Sequence, residues 1–444
     1  MNAGYAERRE ALAAALARAD APVRLAKETS NLFRDREPAA RARLDVRAFR
    51  NVLAVDRENG CLEAEGMTPY GDLVAATLAK GVMPAVVPQL KSITIGGAVA
   101  GIGIESSSFR YGLVHETVEE LDVLVGDGRV VTATPDNDHR DLFFGFPNSY
   151  GTLGYALRVK ARALPAKPFV RLEHVHHRDA RRFFDHVGAV CGADADFVDG
   201  AVFGPHDLVV TTGRFVDAAP YTSDYSFERI YWCSMRERDE DFLSTSDYLW
   251  RWDTDWFWCS KNLHAQNPLV RRLLGRKRLN SVFYAKVMRW NSRVGFTRAR
   301  DRLLGLHPES VIQDVDIPIE RAAEFLAFLL EEIGILPIWT CPIRVHRRDA
   351  HFPLYPLDPA VLYVNFGFWD TVRTREAHPA GHFNRLVERK VGELGGIKSL
   401  YSDSYFERDQ FWSIYDREAY AALKARYDPR GRFPDLYDKA VLRQ

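Results

Sequence analysis

Residues 91–112 read KSITIGGAVAGIGIESSSFRYG, and the fold of the chain is best predicted from this stretch. Its small residues are Gly96, Gly97, Gly101, Gly103, Ser106, Ser107 and Ser108. Glycine lets the backbone adopt positive φ and approach a ligand closely, and serine hydroxyls can donate hydrogen bonds to phosphate or carbonyl oxygens. The stretch therefore predicts a ligand-binding loop. The alternative is a glycine-rich turn that packs under a sheet without a ligand.

The scaffold that carries this loop is predicted to be β-structure. Residues 121–125 and 129–132 flank Gly126-Asp127-Gly128, a pattern that is typical of a β-hairpin. Short strands with few helices between them favour an α+β fold over a doubly wound parallel sheet. The glycine spacing matches neither the dinucleotide-binding pattern Gly-x-Gly-x-x-Gly nor the phosphate loop Gly-x-x-x-x-Gly-Lys-Ser/Thr.

Periodic apolar residues predict the regular elements of the rest of the chain. Helices are predicted at 5–18, 70–80, 180–191, 319–332, 381–394 and 407–426. Strands are predicted at 51–55, 61–65, 197–203, 208–212, 311–317, 335–345 and 361–368. In the second half, the order strand, helix, strand, strand, helix predicts a sheet with helices on one side.

One segment of the second half is unusually aromatic. Residues 246–262 contain Tyr248, Trp250, Trp252, Trp256, Phe257 and Trp258. Such a segment can line an apolar substrate slot. It can equally belong to the core or to a dimer interface, where aromatic residues are enriched.

Several sequence blocks resemble one known family. They are ITIGG at 93–97, GIESSS at 103–108, YGL at 111–113, DLF at 141–143, GTLG at 151–154, LPAK at 164–167, PIWTCP at 337–342, LYSDSY at 400–405 and FPDLYD at 433–438. These blocks resemble the Δ24-sterol reductases, which are flavoproteins of the vanillyl-alcohol-oxidase type with a PCMH-type FAD-binding domain. The resemblance covers most of the chain from about Val23 onward and thins between Phe169 and Val311.

This resemblance implies an α+β architecture with two domains. Residues 1–22 are expected to form an N-terminal helix, 23–167 the FAD-binding domain and 168–400 a substrate or cap domain. Residues 401–444 are expected to return to the FAD-binding domain. Pro165 and Pro168 support the domain boundary, because two close prolines interrupt any regular element.

The resemblance also implies which residues bind FAD. They are Lys27, Thr29, Ser30, Asn31, Thr94, Gly96, Gly97, Gly101, Ile102, Gly103, Ile104, Glu105, Ser106, Ser107, Ser108, Tyr111, Gly112, Gly151, Thr152 and Gly154. The early loop at 27–33 departs from the family pattern because it contains no glycine. Covalent flavin attachment in this class uses a His or Cys of the early loops, and residues 23–32 and 91–112 contain neither. Non-covalent FAD is therefore expected.

The activity implied by the resemblance is FAD-dependent reduction of an isolated C=C bond in a lipid, with NADPH as donor. The lipid is a sterol side chain or a methylene-branched fatty acyl chain. Such a reaction needs a proton donor beside the substrate, and the candidates are Asp403, Tyr401, Tyr405 and Glu105. The alternative is a flavin oxidase of an alcohol or polyol. Related lipid-sugar oxidases carry a lysine before this Asp, whereas this chain has Ser402. A third hypothesis is a non-enzymatic protein that has lost FAD.

Composition and charge narrow the expected binding partners and cellular compartment. Sixty basic residues balance sixty acidic ones, so the charge gives no reason to expect nucleic acid. The five cysteines are scattered, which predicts neither disulfides nor a metal site and suits the reducing cytoplasm. No signal peptide or membrane span is predicted. We expect a cytoplasmic protein, with peripheral membrane contact or a solvated basic face between Arg271 and Arg302.

Overall fold

The computed structural model describes residues 3–19, 22–27, 42–256, 258–294 and 296–443. The strands are β1 (Val23–Ala26), β2 (Ala42–Asp45), β3 (Val52–Asp56), β4 (Cys61–Glu65), β5 (Val82–Pro84), β6 (Val118–Leu124), β7 (Val130–Ala133), β8 (Tyr155–Pro165), β9 (Phe169–His177), β10 (Phe197–Gly204), β11 (Asp207–Val216), β12 (Glu240–Ser244), β13 (His307–Pro318), β14 (Ile338–Arg344), β15 (Leu362–Thr374) and β16 (Ile397–Lys398).

Helices connect and cover these strands. They are α1 (Ala3–Ala17), α2 (Tyr70–Leu78), α3 (Ile95–Ala100), α4 (Ser108–Tyr111), α5 (Arg140–Gly145), α6 (Ala180–Cys191), α7 (Tyr231–Glu237), α8 (Thr245–Leu249), α9 (Pro268–Leu274), α10 (Ser281–Val294), α11 (Phe296–Leu303), α12 (Ile319–Phe328), α13 (His382–Glu393), α14 (Arg408–Ile414), α15 (Arg417–Tyr427) and α16 (Leu436–Ala440). In the part of the chain that the structure describes, no helix is both long enough and apolar enough to cross a bilayer.

Two antiparallel sheets organise the protein. The first has the order β3-β4-β8-β6-β7, with β5 paired to β8, and the second has the order β12-β9-β11-β10-β14-β15-β13-β16. The predicted hairpin joins β6 to β7, and Gly128 supplies the positive φ (93°) that its turn requires. Pro165 ends β8, and Pro168 lies directly before β9, where the chain enters the second sheet. The combination of antiparallel sheets with helices confirms the predicted α+β class.

The second sheet is covered by helices on one face, as its element order predicts. Helices α6, α12 and α13 bury Phe184, Phe325 and Val387 against Val315 and Phe366 of the sheet. This packing removes apolar surface from water, which is the main favourable term in folding. The opposite face carries Trp339, Cys341 and Tyr363, which belong to the core shared with the first sheet.

The C-terminal segment contacts strand β1 and the turn that follows β6. The Gly126 amide donates to the carbonyl oxygen of Tyr427 at 2.7 Å, and the Val23 amide donates to that of Arg432 at 2.9 Å. The single helix predicted at 407–426 is wrong, because the chain turns between α14 and α15. The Asp416 carboxylate caps α15 by accepting a hydrogen bond from the Ala419 amide.

Two glycines allow α3 to lie directly on the first sheet. The Gly66 amide donates to the carbonyl oxygen of Leu157 in β8, and the Gly66 carbonyl accepts from the Gly96 amide of α3 at 2.9 Å. A Cβ atom at Gly66 would overlap the carbonyl oxygen of Ala156, and one at Gly96 would lie 2.7 Å from the Gly66 oxygen. The close approach of these backbones therefore requires glycine at both positions.

We expect Gly66→Ala to destabilise the protein by about 3 kcal/mol, because the new methyl group forces β8 away from α3. Urea unfolding measures the loss. Gly392→Ala in α13 is the matched control, since a methyl group added at this position would meet no atom within 4 Å, and it should be neutral or slightly stabilising. Equal stability of the two variants would contradict the proposed contact.

Candidate functional site

A cavity of about 480 Å³ lies where the two sheets and the C-terminal segment meet. Its lining residues come from 23–27, from the glycine stretch at 93–104 and from 150–156 on one side. Strands β13 and β15, Tyr401 and the C-terminal residues 434–443 supply the other side. The volume falls within the range of small-molecule sites. This makes the cavity the candidate functional site.

The glycine stretch forms one wall of the cavity, although not as the predicted loop. Residues Ile95–Ala100 form helix α3, and Thr94 caps it by accepting a hydrogen bond from the Gly97 amide at 3.3 Å. Gly97 is exposed on this wall. The Ile95 and Gly96 amides donate to carbonyl oxygens of the chain itself. The wall therefore presents mainly backbone surface.

The cavity is lined by strained backbone. Ile102, Tyr150 and Trp256 all line it, and their φ angles are 57°, 49° and 48°. Non-glycine residues adopt this left-handed conformation at an energetic cost, and such strain concentrates at functional sites. The Tyr150 hydroxyl donates to the carbonyl oxygen of Gly101 at 3.0 Å, which holds two of these segments together.

About half of the predicted cofactor residues line the cavity. They are Lys27, Thr94, Gly96, Gly97, Gly101, Ile102, Gly103, Ile104, Gly151 and Gly154. Seven others lie behind the wall: Glu105, Ser106, Ser107, Ser108, Tyr111, Gly112 and Thr152. Thr29, Ser30 and Asn31 lie outside the described residues. The assignment of FAD contacts to individual residues stays a prediction.

The serine run is used to join the two sheets. The Ser106 carbonyl accepts from the Val198 amide of β10, and the Ser106 and Tyr248 hydroxyls are hydrogen-bonded at 2.9 Å. Ser107 donates to the carbonyl oxygen of Ala85 at 2.8 Å. Ser106 and Ser107 therefore use their hydroxyls on protein partners, whereas their residue type had suggested a ligand.

Glu105 lies in a buried ionic cluster at this junction. The Arg251 guanidinium donates to Glu105 Oε1 at 2.8 Å and to Asp199 Oδ2 at 2.7 Å, and all three side chains are at least 98% buried. The guanidinium carbon also lies 4.1 Å from the centroid of the Tyr248 ring. Glu105 thus compensates a buried charge, which makes it a structural residue away from the cavity.

Of the predicted proton donors, only Tyr401 lines the cavity. Its hydroxyl accepts a hydrogen bond from Trp369 Nε1 at 2.6 Å. Asp403 points elsewhere, with its carboxylate 3.6 Å from Arg443. The Tyr405 hydroxyl accepts from the Arg443 guanidinium at 2.7 Å, and its ring packs against Gly381.

Two carboxyl groups that sequence reasoning missed line the cavity. Strand β13 points Val311, Val315 and Ile317 into the core, and it points Asp314 and Asp316 to the cavity. This alternation follows from the two-residue period of a β-strand. Two aspartates at this spacing within an otherwise apolar strand are the signal that would have identified them.

Burial raises the pKa of both carboxyl groups. Burial raises the pKa of Asp316 to about 6, although Asn365 and Tyr355 donate to it at 2.8 and 2.7 Å. Burial raises the pKa of Asp314 well above its ordinary value; its hydrogen bond to Tyr401 opposes the rise and nearby Asp316 adds to it. Within the described residues, Asp314 Oδ1 has no hydrogen-bond partner.

The aromatic segment is divided between the cavity and the core. Trp256 lines the cavity together with Cys259. Tyr248, Trp252 and Trp258 are buried in the main core, and Phe257 lies outside the described residues. Both alternatives for this segment therefore hold, each for different residues.

Comparisons with known proteins define the class. Residues 5–134 match the model of an FAD binding domain. This span includes β1 and the glycine wall of the cavity. This part of the chain is therefore similar to an FAD-binding domain, and the homologues support an FAD-dependent oxidoreductase.

The relatives over the full length are Delta(24)-sterol reductases. The human protein of this name is 27% identical over 410 residues, which cover 88% of this chain and 76% of the human one. The Arabidopsis thaliana protein is 24% identical over 444 residues, covering 91% and 78%. A cytokinin dehydrogenase 7 of rice is 34% identical over 122 residues, covering only 28% of this chain and 23% of its own. The resemblance to Δ24-sterol reductases is therefore confirmed.

The cavity suits FAD on two observations. Its glycine wall offers a backbone surface on which a flat ring system can lie closely. Four cationic side chains, those of Arg24, Lys27, Lys439 and Arg443, also line it, and cations of this kind pair with phosphate oxygens. The residues present therefore fit both the ring system and the diphosphate of the cofactor.

We expect Arg251→Met to destabilise the protein by about 3–5 kcal/mol, because Glu105 and Asp199 would then be buried without a cation. Urea unfolding measures this loss. Arg50→Met is the matched control, since Arg50 and Asp72 form an exposed pair, and it should cost less than about 1 kcal/mol. A small, equal effect of both substitutions would show that the buried cluster does not hold the sheets together.

Proposed function

We propose that the protein is an FAD-dependent reductase of an isolated C=C bond in a lipid, with NADPH as the electron donor. The observation that carries this proposal is the Asp314 carboxyl group, which lies beside Tyr401 in a largely apolar cavity and whose pKa is raised well above its ordinary value by desolvation. The names of the full-length relatives support a sterol side chain as substrate. A methylene-branched fatty acyl chain has the same chemistry and is the second substrate to test.

The cofactor would be held by the residues that line the first-sheet side of the cavity. Gly97, Gly101 and Ile102 would support the ring system, and Lys27 and Lys439 would neutralise the diphosphate. Bound FAD supplies the hydride chemistry that amino-acid side chains lack. The protein contributes the position of the substrate, the exclusion of water and the proton.

The substrate would occupy the apolar part of the cavity. Trp256, Met288, Ile312 and Trp369 line this part. Large apolar side chains bind an alkyl chain because contact removes its surface from water. They also exclude water, which strengthens the electrostatic effect of the few polar groups that face the substrate.

Asp314 is proposed as the proton donor. Reduction of a C=C bond adds a hydride to one carbon and a proton to the other, and an unactivated bond needs a positioned acid. A raised pKa favours the protonated form of this carboxyl group, which can give the proton from Oδ1, an oxygen that accepts no hydrogen bond from the described residues. Tyr401 positions the carboxyl group through their hydrogen bond and is itself held by Trp369.

An alcohol or polyol oxidase is the second candidate, since a stretch of 122 residues is also similar to a dehydrogenase. Such an enzyme needs a base to take the hydroxyl proton. The raised pKa of Asp314 favours its protonated form, which suits a proton donor better than a base. The residue before Asp403 is Ser402, where related lipid-sugar oxidases carry a lysine. The Ser402 hydroxyl donates a hydrogen bond to Gln313. These observations favour the reductase.

Asp314→Asn should separate the two halves of the reaction. Without air, NADPH should bleach the flavin of the variant at the wild-type rate, because this half needs no proton from Asp314. Reoxidation by a sterol or a methylene-branched acyl chain should slow by about 100-fold or more, and Tyr401→Phe should slow it less. Stopped-flow absorbance of the flavin measures both rates.

Asp72→Asn is the matched control for this experiment, because Asp72 is an exposed carboxylate outside the cavity lining, and it should reoxidise at close to the wild-type rate. A flavin that ignores NADPH but is bleached by alcohols would establish the oxidase instead. A purified protein that takes up no FAD would overturn both enzymatic proposals.

A further inference from the structure

Exposed apolar side chains are concentrated in one segment of the chain. Among the described residues, nine large hydrophobic side chains are exposed, and seven of them lie between 269 and 304. The seven are Leu269, Leu273, Val282, Met288, Trp290, Leu303 and Leu304. Single exposed hydrophobic residues are ordinary, whereas a concentration of them marks an interaction surface. We call helices α9, α10 and α11 with residues 303–304 the docking segment.

Hydrophobic side chains of the docking segment are largely exposed to solvent. Leu273 is 82% exposed, Leu303 is 88% exposed and Trp290 is 60% exposed. Leu269 and Leu273 are four residues apart in α9, so they lie on the same face of the helix. Leu303 and Leu304 stand together at the end of α11, before β13 begins. Transfer of each of these side chains from water to an apolar environment is favourable in free energy.

The inner faces of these helices are already packed. Leu274 of α9 and Phe283 and Tyr284 of α10 belong to a small core with Trp256 and Leu90. Trp256 stacks against Tyr284 with an angle of 16° between the rings. The helices are thus fixed to the protein by one side, and the exposed leucines and Trp290 lie on another.

The docking segment carries an excess of positive charge. Residues 269–304 contain eleven Lys or Arg and a single acidic residue, Asp301, in a chain whose total charge is zero. Neighbouring acids offset part of this charge: Glu228 pairs with Arg272, and Asp224 pairs with Arg276. Both pairs are exposed and therefore weak. Basic residues around exposed Leu and Trp are typical of helices that lie in an anionic membrane interface.

The docking segment also borders the cavity. Met288 of α10 is 37% exposed and at the same time lines the cavity, where it joins Trp256. The part of the cavity that would hold an apolar chain therefore opens beside the exposed face. A lipid could pass from a bilayer into the cavity along this side without crossing water.

We propose that the docking segment binds the surface of a bilayer that contains anionic lipid. Leu269, Leu273, Leu303 and Leu304 insert among the acyl chains, while Lys277, Arg278 and Lys286 contact the headgroups. Docking places the opening at Met288 against the lipid phase. This contact is peripheral and depends on neither the identity of the substrate nor the proposed reaction.

Vesicle co-sedimentation of the FAD-loaded protein tests the proposal. The wild type should bind vesicles of phosphatidylcholine mixed with phosphatidylglycerol, and it should bind phosphatidylcholine alone more weakly. Leu303→Asp combined with Leu304→Asp should weaken binding by about tenfold or more, because each leucine then loses its apolar contact. Leu269→Asp combined with Leu273→Asp is a second, independent pair. Lys277→Glu combined with Arg278→Glu should weaken binding to anionic vesicles only.

Leu442→Asp is the matched control, because Leu442 is exposed but lies outside the docking segment, and it should bind as the wild type does. Thermal unfolding checks that each variant is folded. Failure of the wild type to bind, or equal binding by all variants, would overturn the proposal. It would also be overturned if the leucine variants changed the oligomeric state in light scattering without lipid, since the segment would then be a protein interface. Vesicle binding is measured without substrate, so its result is independent of the reductase experiment.

Discussion

The structure depends on a buried arginine. Arg251 binds Glu105 of the glycine–serine stretch and Asp199 of β10, and both contacts are shorter than 2.9 Å. Glu105 lies between α3, which packs on the first sheet, and α4, whereas Asp199 lies in β10 of the second sheet, so the cluster ties together the two sides that form the cavity. A buried ion pair contributes little net stability because its charges have lost their hydration, but breaking it is expensive. The arrangement thus specifies one relative position of the walls.

Several features that line the cavity are unfavourable for the free energy of folding. Asp314 and Asp316 are placed where burial opposes their ionisation, and Ile102 and Tyr150 adopt left-handed backbone beside them. Each feature lowers the stability of the folded state. Together they provide a carboxyl group with a raised pKa in a largely apolar space and a wall that a flat cofactor can approach. Both properties suit the proposed reductase.

The sequence predicted the scaffold better than the site. The β6–β7 hairpin and helices α6 and α12 follow from local turn chemistry and apolar periodicity, which act within a few residues. Residue types singled out the glycine stretch, and family resemblance connected it with FAD; this stretch and Tyr401 both line the cavity. Alternation along β13 places Asp314 and Asp316 on one face of the strand, but they were missed because which face meets the cavity depends on the pairing of β13 with β15, which joins residues far apart in the chain.

For Ser106 and Ser107, residue type suggested a ligand contact, whereas the structure shows protein partners. Their residue type suits phosphate binding, yet their hydroxyls are taken by Tyr248 and by the Ala85 carbonyl. No local pattern distinguishes a serine that binds a ligand from one that joins two sheets. The basic stretch beyond Arg271 was also ambiguous from sequence, because only the structure separates the buried Arg271 from the exposed leucines around it.

The most direct measurement is a crystal structure of the FAD-loaded protein. The account predicts that the flavin ring lies in the cavity against the wall formed by Gly97 and Ile102. It also predicts that the Asp314 carboxyl group faces the apolar space left for the substrate. A flavin bound elsewhere, or an Asp314 that turns away from this space to pair with a cation, would contradict it.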